Sequence, residues 1–194
     1  MRGSGKKGSS FQFAIAKFQF RRSILVRLFP TVENVGNWKL KIAHYSVYPT
    51  YMLKVGKKEY AALRRHGEET YPHECCGVLL GRMDGHERLV TSVVGCGNTR
   101  TDSPHNRYHI DPQELVRVQR EGRERGEDIV GFYHSHPDHP ARWSPTDLAE
   151  AHWIGCSYVI TSVKKGKADA TNSFELLGSD ENDKKFADEE VEII

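Results

Sequence analysis

From Met52 onward, short apolar runs alternate with segments whose apolar residues recur at helical spacing. Runs of about four to eight apolar residues between turn-forming residues are typical of strands, and a period of about 3.6 is typical of helices. Helices are therefore predicted over residues 57–69, from Asp111 to Gly122 or Gly126, and from Ser144 onward. Strands are predicted over residues 76–80, 88–94, 128–133, 157–163 and 173–177, with a short apolar run at 108–110.

Local signals support these boundaries. Asp111 and Ser144 each precede a proline, as expected of a helix whose capping residue is followed by proline at the first helical position. Asp84 and Gly85 lie between the first two predicted strands and favour a hairpin turn.

The order of these elements predicts an α/β fold with a mixed central β-sheet flanked by helices. Ligands bind to such folds where loops leave the ends of strands, so the loop after Tyr133 is the expected site. The segment from Gly178 onward is acidic, and we expect it to be partly frayed.

The charge divides the chain into two parts that the net charge of +2 conceals. Residues 1–51 contain nine lysines and arginines and a single acid, Glu33, whereas residues 52–194 contain 19 basic and 25 acidic residues. This contrast predicts a basic N-terminal extension, residues 1–51, ahead of an acidic domain, residues 52–194.

Three interpretations of the extension remain open. Its phenylalanines are interleaved with basic residues, which suits binding to nucleic acid or anionic lipid. Its composition also resembles that of a targeting segment. Alternatively, residues 1–51 are upstream sequence, and translation of the functional protein starts at Met52.

Other classes of protein are disfavoured. No run approaches the roughly 18 apolar residues of a membrane span, so an integral membrane protein is not expected. The four cysteines include no CysXXCys pair, which argues against a structural zinc site. No secretory signal is evident, and a cytoplasmic location is expected.

The segment 131–147 contains the clearest candidate chemistry. His134 and His136 are two residues apart at the end of a predicted strand, where alternation points both imidazoles to the same side. Asp147 lies in the first turn of the next predicted helix. Two histidines and one carboxylate are suitable zinc ligands, and they leave a fourth position for water, as in a catalytic zinc site.

A plainer interpretation is a histidine pair in a polar loop beside a helix cap, but the combined spacing favours the metal site. The nearby His105, His109 and His139 are then loop residues. Cys156 is expected in the core. Trp143 either lines a groove for a substrate tail or packs the loop.

These residues resemble a known family. The pattern HisSerHisPro-x6-Ser-x2-Asp at 134–147 is similar to the motif of the JAMM (MPN+) metalloproteases. The upstream segment GluCysCysGlyValLeuLeuGly at 74–81 and the segment TyrHisIleAspProGlnGluLeu at 108–115 extend the likeness. It covers roughly residues 52–177 and is greatest for the compact prokaryotic members.

The resemblance implies a cytidine-deaminase-like α/β/α fold and a role for each matching residue. His134, His136 and Asp147 would bind one zinc ion. Glu74 would act as general base and then general acid, and Ser144 would stabilise the oxyanion. The implied reaction is hydrolysis of a peptide or isopeptide bond, often after the diglycine tail of a ubiquitin-like sulfur-carrier protein.

Three other functions are weighed against this one. A non-catalytic module would bind the ubiquitin-like partner without cutting it, although here every ligand position is filled. A zinc nucleobase deaminase would need HisXGlu and ProCysXXCys, which are both absent. Nucleic-acid binding is expected only through residues 1–51.

Overall fold

The structure is a computed structural model that describes residues 51–99 and 107–194. The predicted basic extension lies outside these residues, apart from Tyr51. Within the described ranges the chain forms three helices, which are α1 (Lys57–Thr70), α2 (Pro112–Glu124) and α3 (Pro145–Glu150). It also forms seven strands, which are β1 (Met52–Val55), β2 (Cys76–Asp84), β3 (Glu87–Cys96), β4 (Asp128–Pro137), β5 (Ser157–Lys164), β6 (Lys167–Leu177) and β7 (Lys185–Ile193).

The three predicted helices and five predicted strands are confirmed, and the differences are at the ends of the sheet. The short run 108–110 forms no strand, and β1 was not predicted. The tail predicted to fray instead forms β7. Its acidic residues obscured an alternation in which Val191 faces apolar neighbours while flanking glutamates face outward.

The predicted mixed central sheet flanked by helices is wrong in one respect, because the sheet closes into a barrel. The strand order is β1-β3-β2-β4-β5-β6-β7, and β7 returns to pair with β1. Closure depends on the four residues of β1, which pair in parallel with β3 on one side and with β7 on the other. The sequence did not predict β1, and it predicted a frayed segment in place of β7. Closure of the sheet was therefore not predicted.

Alternating side chains build a separate core on each face of the sheet. Leu63 of α1 packs in one cluster with Leu79 and Val159 of the strands. Val118 of α2 packs in the other cluster with Val78 and Phe132. The second face also carries the segment of interest at the end of β4.

A buried ionic cluster joins strands around the closed sheet. Arg88 of β3 is 1% exposed and forms ion pairs with Glu175 of β6 and Glu189 of β7. Ser157 and Ser173 donate hydrogen bonds to Glu189, whose pKa is raised by burial despite the nearby arginine. Buried charges need such partners, and these connect strands far apart in sequence.

No helix in the described part of the chain combines the length and apolar character needed to cross a membrane.

Substitution of Gly77 in β2 would measure how tightly the sheet is packed at this position. A Cβ atom there would lie 2.3 Å from both the Tyr133 ring and the Val94 carbonyl oxygen. We predict that Gly77→Ala lowers the free energy of unfolding by more than about 2 kcal/mol, because neither neighbour can move freely. Gly97→Ala, with nothing within 4 Å of its added Cβ, should change it by less than about 1 kcal/mol. Equal losses in the free energy of unfolding for the two variants, measured by urea unfolding, would contradict this prediction.

Candidate metal centre

Strand β4 lies between β2 and β5, which fixes the two candidate histidine ligands. It pairs antiparallel with β2, with Cys76 opposite His134, and parallel with β5. Because β4 continues through Pro137, His134 and His136 lie in regular strand structure and share one face. Both histidines are buried, at 1% and 8% exposed.

The third candidate ligand is held by the capping of α3. Asp147 and Ser144 form a reciprocal capping box, in which Ser144 Oγ accepts from the Asp147 amide at 3.2 Å. The Ser144 amide in turn donates to Asp147 Oδ2 at 2.6 Å. One carboxylate oxygen is therefore anchored by the backbone, which orients the group.

The three side chains converge on one point. The Nε2 atoms of His134 and His136 are 3.0 Å apart. They lie 3.5 and 3.6 Å from the two carboxylate oxygens of Asp147, respectively. All candidate donor atoms lie within 4.8 Å of one another. The predicted ligands are thus brought together.

A backbone carbonyl fixes the ring of His136. Its Nδ1 lies 2.9 Å from the Pro140 oxygen, which can only accept, so Nδ1 carries the proton. In the neutral ring, Nε2 then has a free lone pair directed at the cluster. Hydrogen bonds from a ring nitrogen to a backbone carbonyl commonly orient histidines that bind metals.

The loop that supplies this carbonyl is itself fastened to the sheet. Ser162 Oγ donates to the His139 carbonyl at 2.6 Å, and Asn172 donates to the Ala141 carbonyl at 2.8 Å. The Asp138 amide donates to the Val163 carbonyl at 2.8 Å. Pro140 is therefore held between fixed points.

His134 is oriented by stacking. The ring of Tyr108 lies 4.7 Å from the His134 ring, with 28° between their planes. His134 Nδ1 is buried and makes no hydrogen bond with any described residue. Burial, together with the neighbouring His136, lowers the pKa of His134 to about 3, so its imidazole is neutral.

The charges of the other two residues complement each other. Burial opposes ionisation of Asp147, yet the neighbouring histidines and the Ser144 contacts hold its pKa well below the usual range. Burial also disfavours the charged form of His136, but Asp147 and the Pro140 carbonyl raise its pKa overall. The site therefore contains a carboxylate that attracts positive charge.

A metal cation fits this donor set. When both Nε2 atoms are unprotonated, their lone pairs face each other at 3.0 Å with no proton between them, whereas a cation would accept both. The mixed nitrogen and oxygen set is typical of zinc. One metal ion needs its ligand atoms close together, and the three side chains meet this requirement.

Glu74 lies next to this cluster. Ser135 Oγ accepts a hydrogen bond from the Cys75 amide at 2.9 Å, and the Ser135 amide donates to the Cys75 carbonyl at 3.2 Å. These bonds extend the β2–β4 ladder by one residue, and a further step brings Glu74 alongside His136. Asn98 also donates to the Glu74 carbonyl at 3.3 Å.

Burial dominates the ionisation of Glu74. The residue is 5% exposed, and desolvation raises its pKa to about 8, with a further contribution from the negative charge of Asp147. A divalent cation bound nearby would act in the opposite direction, because it stabilises the carboxylate.

The remaining candidates do not join the cluster. His139 is exposed, His109 contacts Thr99 instead, and His105 lies outside the described residues. Cys156 is buried, as predicted. Trp143 packs against Phe186, with ring centroids 5.7 Å apart and 48° between the ring planes.

Three contributions escaped sequence reasoning: the stacking of Tyr108, the Ser135 link to Cys75, and the Pro140 carbonyl. Tyr108 lies in a segment already noted for family likeness, but no local pattern assigns it to His134. The Pro140 carbonyl is a backbone group, which residue types cannot indicate.

Comparison with known proteins gives consistent matches. A family model described as prokaryotic homologs of the JAB domain matches residues 56–176. A desampylase from Haloferax volcanii is 41% identical over 91 residues, which cover 47% of this chain and 63% of the relative. A probable TtuB-protein conjugate cleaving protease from Thermus thermophilus is 34% identical over 90 residues, which cover 46% of this chain and 57% of the relative. The chain thus spans less than two thirds of either curated relative.

A solved structure matches over more of the chain. The solution structure of a protein from Desulfitobacterium hafniense aligns with a TM-score of 0.62 and 29% identity. The alignment covers 74% of this chain and 94% of that protein.

The raised pKa of Glu74 predicts a pH-dependent effect on stability in metal-free protein. Between pH 4.5, the ordinary value, and about 8, the unfolded chain releases the Glu74 proton while the folded protein retains it. This contribution to stability therefore falls as pH rises. As the pH rises from 5 to 8, the free energy of unfolding of Glu74→Gln should increase relative to that of the wild type by on the order of 3 kcal/mol. Each pKa unit corresponds to about 1.4 kcal/mol. Chelator-treated samples followed by urea unfolding would measure this, and parallel pH profiles would contradict it.

Proposed function

The chain belongs to the family of prokaryotic homologs of the JAB domain, and we propose that it is a zinc-dependent peptidase acting on conjugates of a ubiquitin-like protein. The observation that carries this proposal is the convergence of His134, His136 and Asp147 within 4.8 Å, beside the buried Glu74. The family membership agrees with the resemblance of the motif residues to JAMM proteases.

The proposed metal ligands are His134, His136 and Asp147. Zinc bound there supplies Lewis acidity, which promotes ionisation of water and polarises a substrate carbonyl. The protein orients its ligands through the Pro140 carbonyl and the Ser144 amide. These contacts keep the lone pair of His136 and the carboxylate of Asp147 directed inward.

Glu74 is proposed to transfer the proton. Its carboxylate accepts a proton from the attacking water and later delivers that proton to the leaving amine. The surroundings suit both steps, since burial disfavours the carboxylate and a nearby cation favours it. A group balanced in this way exchanges a proton near neutral pH at low free-energy cost.

Ser144 is proposed to stabilise the oxyanion that forms when water adds to the carbonyl. Its Oγ accepts from the Asp147 amide, which leaves the hydroxyl proton available for donation. The capping box fixes the position of this hydroxyl beside the metal ligand. A donor that is already oriented stabilises developing charge without reorganisation.

The names of two relatives support the choice of substrate. One is called a desampylase, and the other a probable protease that cleaves TtuB-protein conjugates. We infer a substrate in which the C-terminal diglycine of a ubiquitin-like sulfur carrier is joined to another amine. The scissile bond is then an isopeptide bond or the peptide bond after the diglycine.

The test of function uses the full chain with zinc and a ubiquitin-like protein of the same genome that carries residues beyond its diglycine. We predict a product ending at the diglycine, read by intact mass, and a loss of about 10²- to 10⁴-fold in rate for Glu74→Gln. Zinc should remain bound to this variant, because Glu74 is not a ligand. Glu69→Gln, at an exposed position of α1, is the matched control and should retain activity.

Two results would contradict the proposal. Wild-type activity in Glu74→Gln would remove its assigned role. Stable binding of the ubiquitin-like protein by zinc-loaded wild type, without cleavage, would instead identify a non-catalytic module.

A second variant tests the oxyanion role. Ser144→Ala removes both the donor and the cap, so we predict a fall in kcat of about 10²-fold or more and a loss of about 1 kcal/mol in stability. Ser144→Thr keeps the hydroxyl and should retain most of kcat. If Ser144→Ala loses stability alone and keeps kcat, the hydroxyl has only a capping role.

A further inference from the structure

Helix α3 has little stability of its own. It contains only six residues, none of them buried, and yet it carries the proposed ligand Asp147. Isolated helices shorter than about 12 residues are marginal in water. The position of Asp147 must therefore depend on contacts that hold both ends of α3.

The first end is held by the capping box between Ser144 and Asp147. These contacts are local, and they fix the Asp147 carboxylate to the Ser144 amide. They do not attach α3 to the rest of the fold. Leu148 of α3 packs against the core beneath the helix, and a polar attachment to the sheet has to come from the other end of the helix.

The second end is bound by Lys184. Its Nζ donates to the carbonyl of Ala149 at 2.9 Å and to the carbonyl of Ala151 at 2.8 Å. Glu181 accepts from the same ammonium at 2.6 Å. A cation at the C-terminal end of a helix is favourable, since the last carbonyls there lack partners within the helix.

Lys184 is well placed to act as an anchor. Its side chain is 9% exposed, and the three acceptors match the three N–H donors of an ammonium. The residue lies immediately before β7, in the turn that follows β6. It therefore connects α3 to the closed sheet across 33 residues of sequence.

The turn that presents Lys184 is itself ordered by hydrogen bonds. Asp183 accepts from the amides of Ser179 and Asp180 at 2.7 and 2.9 Å. Just beyond it, the ring of Phe186 packs between Trp143, which precedes α3, and Tyr158 of β5. Lys184 therefore contacts the C-terminal end of α3, and Phe186 contacts Trp143 just before its N-terminal end.

We propose that Lys184 is a positioning residue for the metal centre, acting through the last carbonyls of α3 to hold Asp147 against the two histidines. This inference rests on the metal centre of the proposed function. Lys184 does not contact the ligands, and it exerts its effect by restricting the helix that carries one of them. Partners outside the ligand set typically change metal affinity by about 10- to 100-fold.

The competing explanation is that Lys184 stabilises the fold in general. Arg64 offers a matched comparison, because it is another cation that donates to distant carbonyls, those of Ala168 and Asp169. Arg64 lies on α1, on the opposite face of the sheet from the ligands. Its loss should lower stability without altering the metal centre.

The experiment measures zinc affinity by competition with a chelating dye, using the full chain. We expect Lys184→Met to bind zinc about 10-fold more weakly than wild type, and Lys184→Arg, which keeps a donor cation, to recover most of the affinity. Arg64→Met should bind zinc within about twofold of wild type. Thermal unfolding of each metal-free variant establishes that it is folded.

Specific outcomes would overturn the proposal. Zinc affinity of Lys184→Met within twofold of wild type, or a loss equal to that of Arg64→Met, would leave Lys184 with a general structural role. If Lys184→Met does not fold, Lys184→Gln provides the comparison, because it removes the ammonium and keeps a polar side chain. If wild type itself binds no zinc, the proposed function fails together with this inference. If wild type binds zinc and Lys184→Met binds it as tightly, only this inference fails.

Discussion

Two buried imidazole nitrogens, 3.0 Å apart, impose the constraint on which the rest of the site depends. Groups of this kind are favourable in an apolar interior only when their lone pairs and protons have partners. Strand pairing of β4 with β2 and β5 fixes the separation of the two rings, and the Pro140 carbonyl fixes the tautomer of one. The opposing carboxylate of Asp147 supplies the charge that a cation requires.

The same strand pairing also locates the acid. Ser135, between the two histidines, bonds through its side chain and its backbone to Cys75, next to Glu74. The histidines use one face of β4, and Ser135 uses the other. Strand β4 therefore places two of the three proposed metal ligands, His134 and His136, and its pairing with β2 aligns the proposed proton carrier Glu74. Closure of the barrel, reinforced by Arg88 and its two glutamates, keeps β4 in a fixed frame.

The sequence predicted the parts of this arrangement that follow from local spacing. Alternation placed His134 and His136 on one side, and the serine-proline signal placed Asp147 in the first turn of α3. Long-range features could not be obtained in this way. Barrel closure depends on the pairing of β1 with β7, and the acidic composition of the tail masked the second of these strands. The stacking of Tyr108 on His134 joins residues 26 positions apart, and no periodic pattern reports it.

The most direct test of the account is the identity of the atoms that bind the metal. X-ray absorption at the zinc edge, on full-length protein loaded with one equivalent of zinc, would report them. The account predicts a shell of nitrogen and oxygen at about 2.0–2.1 Å with outer scattering from two imidazole rings. A sulfur shell at about 2.3 Å would contradict it, because zinc would then be held by cysteines that the structure places in its core.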